Sequence, residues 1–132
     1  MVKDPLYFFD DSETGRLARS IDWSRHELGP AELWPEALKI VLGIVFRNKH
    51  PMFVFWGENL ICFYNDAYMP SFGLGKHPKA MGQRAIDCWP EVWPIISPQI
   101  ETVMKTAGAT WNVNALVPIF RNGRLEEVYW TY

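Results

Sequence analysis

The chain has 132 residues, 48% of them hydrophobic and 21% charged, and its 13 basic and 15 acidic side chains leave a net charge of −2. That size suits one compact domain with a sizeable core, and the near balance of charge excludes a chain that coats a phosphate backbone or an anionic membrane surface. Two cysteines beside seven Trp, eight Phe and five Tyr exclude a disulfide scaffold and fit a reducing compartment.

Residues 1–30 are mixed and turn-rich, with Asp10, Asp11 and Glu13 but no sustained period, and are expected to be an irregular lead-in closed by Leu28, Gly29 and Pro30. No charged flank leads into a long apolar run, so neither a secretory signal nor a lipid anchor is expected. The longest apolar stretch, residues 40–46, is far shorter than the about 20 residues that span a bilayer. The expected setting is cytoplasmic, without direct membrane insertion, although a membrane-associated parent protein can carry such a domain on its inner side.

Residues 31–132 are expected to form the domain proper. Pro35 suits a first helical turn, and Leu38, Val41, Leu42 and Val45 follow at i, i+3, i+4 and i+7, which predicts an amphipathic helix over about 35–48. Ile40, Ile44 and Phe46 widen its apolar stripe, Arg47, Asn48 and Lys49 give it a polar cationic end, and Pro51 forbids continuation.

The core starts at about residue 51. Met52–Trp56 and Leu60–Tyr64, separated by Gly57, Glu58 and Asn59, predict a hairpin. Both parities of these strands are apolar, so both faces are expected to be covered, one of them by the preceding helix. Asn65 and Asp66 are expected to cap a short turn through Tyr68, and the Pro- and Gly-punctuated stretch 70–97 leaves room only for short pieces. Ser97 as cap and Pro98 at a first position predict a second long helix, with Ile100, Val103, Met104 and Ala107 on one face and Gly108 ending it.

Asn122 and Gly123 carry the type I′ turn signal between two alternating runs. Pairing about that turn opposes Val117 to Val128, Ala115 to Trp130 and Val113 to Tyr132, with Glu126 opposite Ile119 near an exposed tip. Pro118 removes a backbone donor and points to a sheet edge. Helix, hairpin, short helices, helix, hairpin is an α+β order: an antiparallel sheet with helices on one side.

Catalytic and metal signals are weak. His26, His50 and His77 share no zinc-like spacing with Cys62 and Cys88, so no metal is expected. Gly73, Gly75 and Lys76 lack the order of a phosphate loop. Asp66, His77 and Asp87 could in principle meet as an acid and base set, but Asp66 more simply serves as part of a helix start. Glu126 and Glu127, adjacent on a strand, point to opposite faces. The aromatic set is more suggestive. Phe53, Phe55, Tyr64, Tyr68, Met81, Trp89, Trp93, Ile100, Met104, Val117 and Trp130 either fill a core or line a small-molecule cavity.

Several short runs, in order, resemble a family. Ile21-Asp22-Trp23-Ser24, Leu28-Gly29-Pro30, Trp34-Pro35 with Leu38, Pro51-Met52-Phe53 and Trp56-Gly57 come first. Tyr64-Asn65-Asp66-Ala67-Tyr68, Lys76-His77-Pro78, Gly82 and Trp89-Pro90-Glu91-Val92-Trp93 follow, then Ala109-Thr110-Trp111, Arg121-Asn122-Gly123 and Glu126-Glu127. Together, over about residues 14–132, they resemble the PAS sensor domain at the start of many bacterial hybrid sensor histidine kinases.

The resemblance implies a PAS fold, a five-stranded antiparallel sheet with short helices across one face and a flanking N-terminal helix. It also implies that the fifth strand would begin after Tyr132, so that the sequence lacks the domain's last strand. It implies a sensory input module of a two-component phosphorelay, catalytically silent itself and linked to downstream kinase domains that use ATP. Homodimerisation is expected through the N-terminal helix, with Leu38, Val41, Leu42 and Val45 as candidate contacts, and through the sheet. Cys88 lies in Asp87-Cys88-Trp89-Pro90 and lacks the neighbours of the reactive flavin cysteine, and residues 98–107 contain no histidine that would hold haem. No cofactor is therefore assigned, and no nucleic-acid partner is expected. A dimerisation module without ligand and a small ligand-processing α+β enzyme are the competing readings.

Overall fold

A polar segment without a hydrophobic period nonetheless forms a helix. In the computed structural model, which describes residues 4–72 and 75–132, Glu13–Ser20 are helix α1. Ser12 caps it by accepting from Gly15 N at 3.0 Å, and Thr14, Gly15 and Ala18 form its buried face. Those small side chains allow close approach, so burial needs no large apolar stripe here. Just before it, Phe8 and Phe9 are buried against Trp34, and Phe9 also meets Phe46. The expected irregular lead-in is thus part of the core.

Helix α2, Glu36–Arg47, buries Leu38, Leu42, Val45 and Phe46. Strands β1, Phe53–Trp56, and β2, Ile61–Tyr64, pair antiparallel from Phe53 opposite Tyr64 to Trp56 opposite Ile61. All four β2 residues are buried. Side chains alternate across a strand, and the rings divide accordingly: Phe63 stacks on Trp23 and meets Trp34, whereas Tyr64 meets Phe53 and Phe72. The expectation of cover on both faces holds for this strand.

Beyond β2 come α3, Met69–Phe72, and α4, Ala85–Cys88. Residues before and within α4 run along the free edge of β2: Cys62 N donates to Gln83 O, Gly82 N to Cys62 O and Ala85 N to Leu60 O, at 2.8–2.9 Å. Helix α5 spans Trp93–Thr106, starting earlier than Ser97 predicts. Pro94 occupies its first turn and Pro98 lies inside it, so the second proline is not the start signal. Ala107, in the left-handed region, ends it one residue before Gly108.

The last hairpin is split. β3, Ala115–Leu116, pairs with β6, Tyr129–Trp130, and β4, Ile119–Arg121, pairs with β5, Arg124–Glu126. Ala115 opposes Trp130 and Ile119 opposes Glu126, as expected, and Val117 N donates to Val128 O at 2.9 Å. Pro118, without an N–H, sits at the break. The pairing shifts at the open end, where Asn112 rather than Val113 exchanges both backbone bonds with Tyr132. Asn114, at φ 50°, takes up the extra residue. Ile119 is buried rather than part of an exposed tip.

The architecture is α+β with antiparallel pairing, but among the described residues it forms three separate two-stranded ladders rather than one sheet. Among the described residues no helix is long and apolar enough to cross a membrane.

Candidate ligand cavity

The space between the two hairpins and α5 is a cavity of about 660 Å³, within the usual range for small-molecule sites. Phe53 and Phe55 of β1, and Leu60 of the turn, form one wall. Ile96, Ile100, Val103 and Met104 of α5 form a second, and Val117, Ile119 and Trp130 of the last hairpin a third. Tyr68, Trp89 and Val92 close the floor, and Ser71, Gln99, Thr110, Thr131 and Tyr132 supply polar groups. Phe53 and Phe55 face the same side because they are two apart on one strand.

Of the residues expected around a cavity, Phe53, Phe55, Tyr68, Trp89, Ile100, Met104, Val117 and Trp130 line it. Tyr64 and Met81 are instead buried in the core, and Trp93 packs against that core from the start of α5. Sequence reasoning omitted Gln99, although it lies in the turn of α5 that carries Ile96 and Ile100. Its Nε2 donates to Tyr132 Oη at 2.8 Å and its Oε1 accepts from Asn112 Nδ2 at 2.7 Å. A single polar residue in an apolar helix face gives no periodic signal.

The floor is ordered. Trp89 stacks on Phe72, 5.5 Å between centroids and 19° between planes. Lys76 Nζ lies 4.9 Å from the Trp89 centroid, donates to Cys88 O at 2.7 Å and lies 2.7 Å from Glu91 Oε1. Both charged ends are mostly buried, and pairing is what makes that tolerable. Lys76 is thereby committed, which removes it as a phosphate-binding group; Gly73 lies outside the described residues. Burial pushes the Tyr68 phenol above its ordinary range, so it remains neutral.

The Asp66, His77 and Asp87 set does not assemble as a trio. Asp66 accepts from Thr14 N at 2.8 Å, Thr14 Oγ1 at 2.6 Å and Glu13 N at 3.2 Å, holding the start of α1. His77 lies between Tyr64 Oη and Glu13 Oε2, whereas Asp87 is exposed on α4. Glu126 bonds Arg121 at 2.7 Å, and Arg121 also donates to Ser71 O, tying the last hairpin to α3. Cys62 and Cys88 are free and buried, and burial beside Cys88 pushes the Cys62 thiol up. Among the described residues no cluster of three or more His, Cys, Asp or Glu is arranged to hold a metal.

The candidate dimer residues of α2 are differently placed. Leu38, Leu42 and Val45 are buried in this chain's own core and Val41 is half-buried. The exposed apolar positions are Ile40 and Ile44, at 57% and 56%. The helix faces Phe8, Phe9 and β2, and that packing takes up the stripe expected to meet a partner.

No protein-family model, no curated protein and no solved structure matches the chain.

Proposed function

We propose that this chain is a sensory module of PAS type, the input element of a two-component signalling protein, which couples a small molecule to the output of a linked histidine kinase. The observation that carries the reading is the cavity, whose walls come from both hairpins and from α5. A molecule held there touches Phe53 and Phe55 on one side and Val117 and Trp130 on the other. It therefore favours whichever spacing of the hairpins it fits best, and that difference in affinity is what a population shift requires. The parent's phosphoacceptor and nucleotide site belong to other segments, and this chain contributes perception and geometry.

A dimerisation role has one observation in its favour. Ile40 and Ile44 lie one turn apart on the outer face of α2, so a partner helix meets a short apolar stripe there.

Melting the purified chain against uncharged aromatic and aliphatic compounds tests the proposal. A compound-dependent rise in Tm supports it; unchanged melting throughout, with association lost on Ile44→Glu, favours the interaction-only role.

A further inference from the structure

Resting on the cavity reading above, we propose that the ligand is an uncharged molecule with a planar aromatic body. The first argument is electrostatic. Among the described residues that line the space there is no Asp, Glu, Lys, Arg or His; the polar side-chain groups are hydroxyls, the indole N–H groups of Trp89 and Trp130, and the Gln99 amide. Both ends of that amide are already engaged, by Tyr132 and Asn112. An ionised ligand loses part of its water against these walls and gains no opposite charge, which disfavours it relative to a neutral one. Lys76, whose ammonium lies over the Trp89 ring of the floor, is held by Glu91 and Cys88 O, and Arg121, which donates to Ser71 O, is paired with Glu126, so both are already engaged.

The second argument is shape. Tyr68 of the floor and Trp130 of the last hairpin lie with their rings within 13° of parallel and 6.5 Å between centroids. A ring inserted between them would need about 7 Å, twice the carbon–carbon contact of about 3.5 Å, so a flat ligand lies along the near-parallel pair rather than between its members. Phe53, 5.0 Å from Tyr68 but tilted by 60° to it, bounds the pair's surface at one edge. A flat molecule covers such a surface over its whole area, whereas a globular one of equal volume touches it at a point.

Three probes of similar size separate these terms: 2-acetylnaphthalene is neutral and flat, 2-naphthoate is flat and anionic, and 1-acetyladamantane is neutral and globular. Binding to the full chain is followed by quenching of Trp fluorescence and checked by the shift in Tm. The expected result is saturable binding of 2-acetylnaphthalene, with each of the other two at least roughly tenfold weaker. Ile100→Trp, which sets an indole on the α5 wall and narrows the space, is expected to weaken binding several-fold with the circular dichroism spectrum retained. Should that variant unfold, Trp130→Leu serves instead and is expected to erase the preference for the flat probe.

Equal binding of the anion, or equal binding of the globular ketone, overturns the proposed class and leaves the cavity as a site. If none of the three binds while the purified chain carries a different small molecule, the class is again overturned and the sensory reading stands. If none binds and nothing copurifies, both fail.

Discussion

Tyr64 Oη lies 2.7 Å from His77 Nδ1, and the other ring nitrogen of His77 lies 3.1 Å from Glu13 Oε2. A buried strand residue, the segment after α3 and the start of α1 are thus linked by one histidine. Tyr64 is fully buried and its phenol is pushed above the ordinary range, chiefly by burial, so it enters this link as a neutral hydroxyl. Tyr64→Phe keeps the ring contacts with Phe53 and Phe72 but leaves His77 Nδ1 without this partner. The expected loss is about 1 kcal/mol in urea unfolding. Glu13→Gln, on a mostly exposed side chain, is expected to cost less than that.

Asp66 makes acid sensitivity a property of α1 docking. Its partial burial raises the carboxyl pKa, but hydrogen bonds from the Thr14 hydroxyl and from the Thr14 and Glu13 amides outweigh this and leave it below the ordinary value. A carboxyl depressed in the folded state contributes stability above its unfolded value and loses it as pH falls through the folded one. Tm of the wild type is therefore expected to fall more steeply than that of Asp66→Asn as pH drops from about 4. At neutral pH the variant is expected to be the less stable of the two. Parallel Tm profiles for the two proteins would contradict the assignment.

Asn65 concentrates five hydrogen bonds in a fully buried side chain. Nδ2 donates to Val45 O and His50 O, with Asn48 O at 3.3 Å sharing one of its two hydrogens, and Oδ1 accepts from Met52 N and Tyr68 N. It therefore holds the end of α2 against the start of β1 while capping the turn through Tyr68. Asn65→Ala is expected to cost about 3 kcal/mol, the loss of a cap plus buried groups left unpaired. Asn65→Asp sets a carboxylate against three carbonyl oxygens and is expected to be at least as damaging. Chemical denaturation curves rank the two.

The parts legible in the sequence were those with a strong local signal. Asn122-Gly123 set the last hairpin's register from Ala115 to Trp130, and the spacing of Leu38, Leu42 and Val45 placed α2 within a residue or two. α1 was not legible because its buried face is Thr14, Gly15 and Ala18, which no hydrophobic period reveals. The start of α5 was misjudged because Pro94 and Pro98 are equally good first-turn signals, and only packing distinguishes them. The division of aromatic residues between core and cavity was only partly legible: Tyr64 and Phe55 lie on the same face of one hairpin, yet α3 and His77 cover Tyr64 and leave Phe55 on the wall.

The inward turn of Leu38 and Val45 changes what substitutions in α2 report. Leu38→Ala is expected to cost about 2–5 kcal/mol through a cavity in the core. Ile40→Glu and Ile44→Glu, on the outer face, are expected to stay within about 0.5 kcal/mol of the wild type. Light scattering on the outer-face variants reads association without the confounding loss of fold.

Gly82 has φ 79°, and a Cβ there would lie 2.9 Å from Trp23 Cη2. Gly82→Ala combines a left-handed backbone with displacement of a buried indole. It is expected to lower stability by about 2 kcal/mol, readable as a fall in Tm.

Whether the space between the hairpins accepts a small molecule is decided most directly by native mass spectrometry of the purified chain, compared with Ile100→Trp. The predicted result is a single small-molecule adduct on the wild type, retained under gentle desolvation and clearly diminished in the variant. A bare chain in both, or an adduct equally populated in the variant, would contradict a ligand held between β1, α5 and the last hairpin.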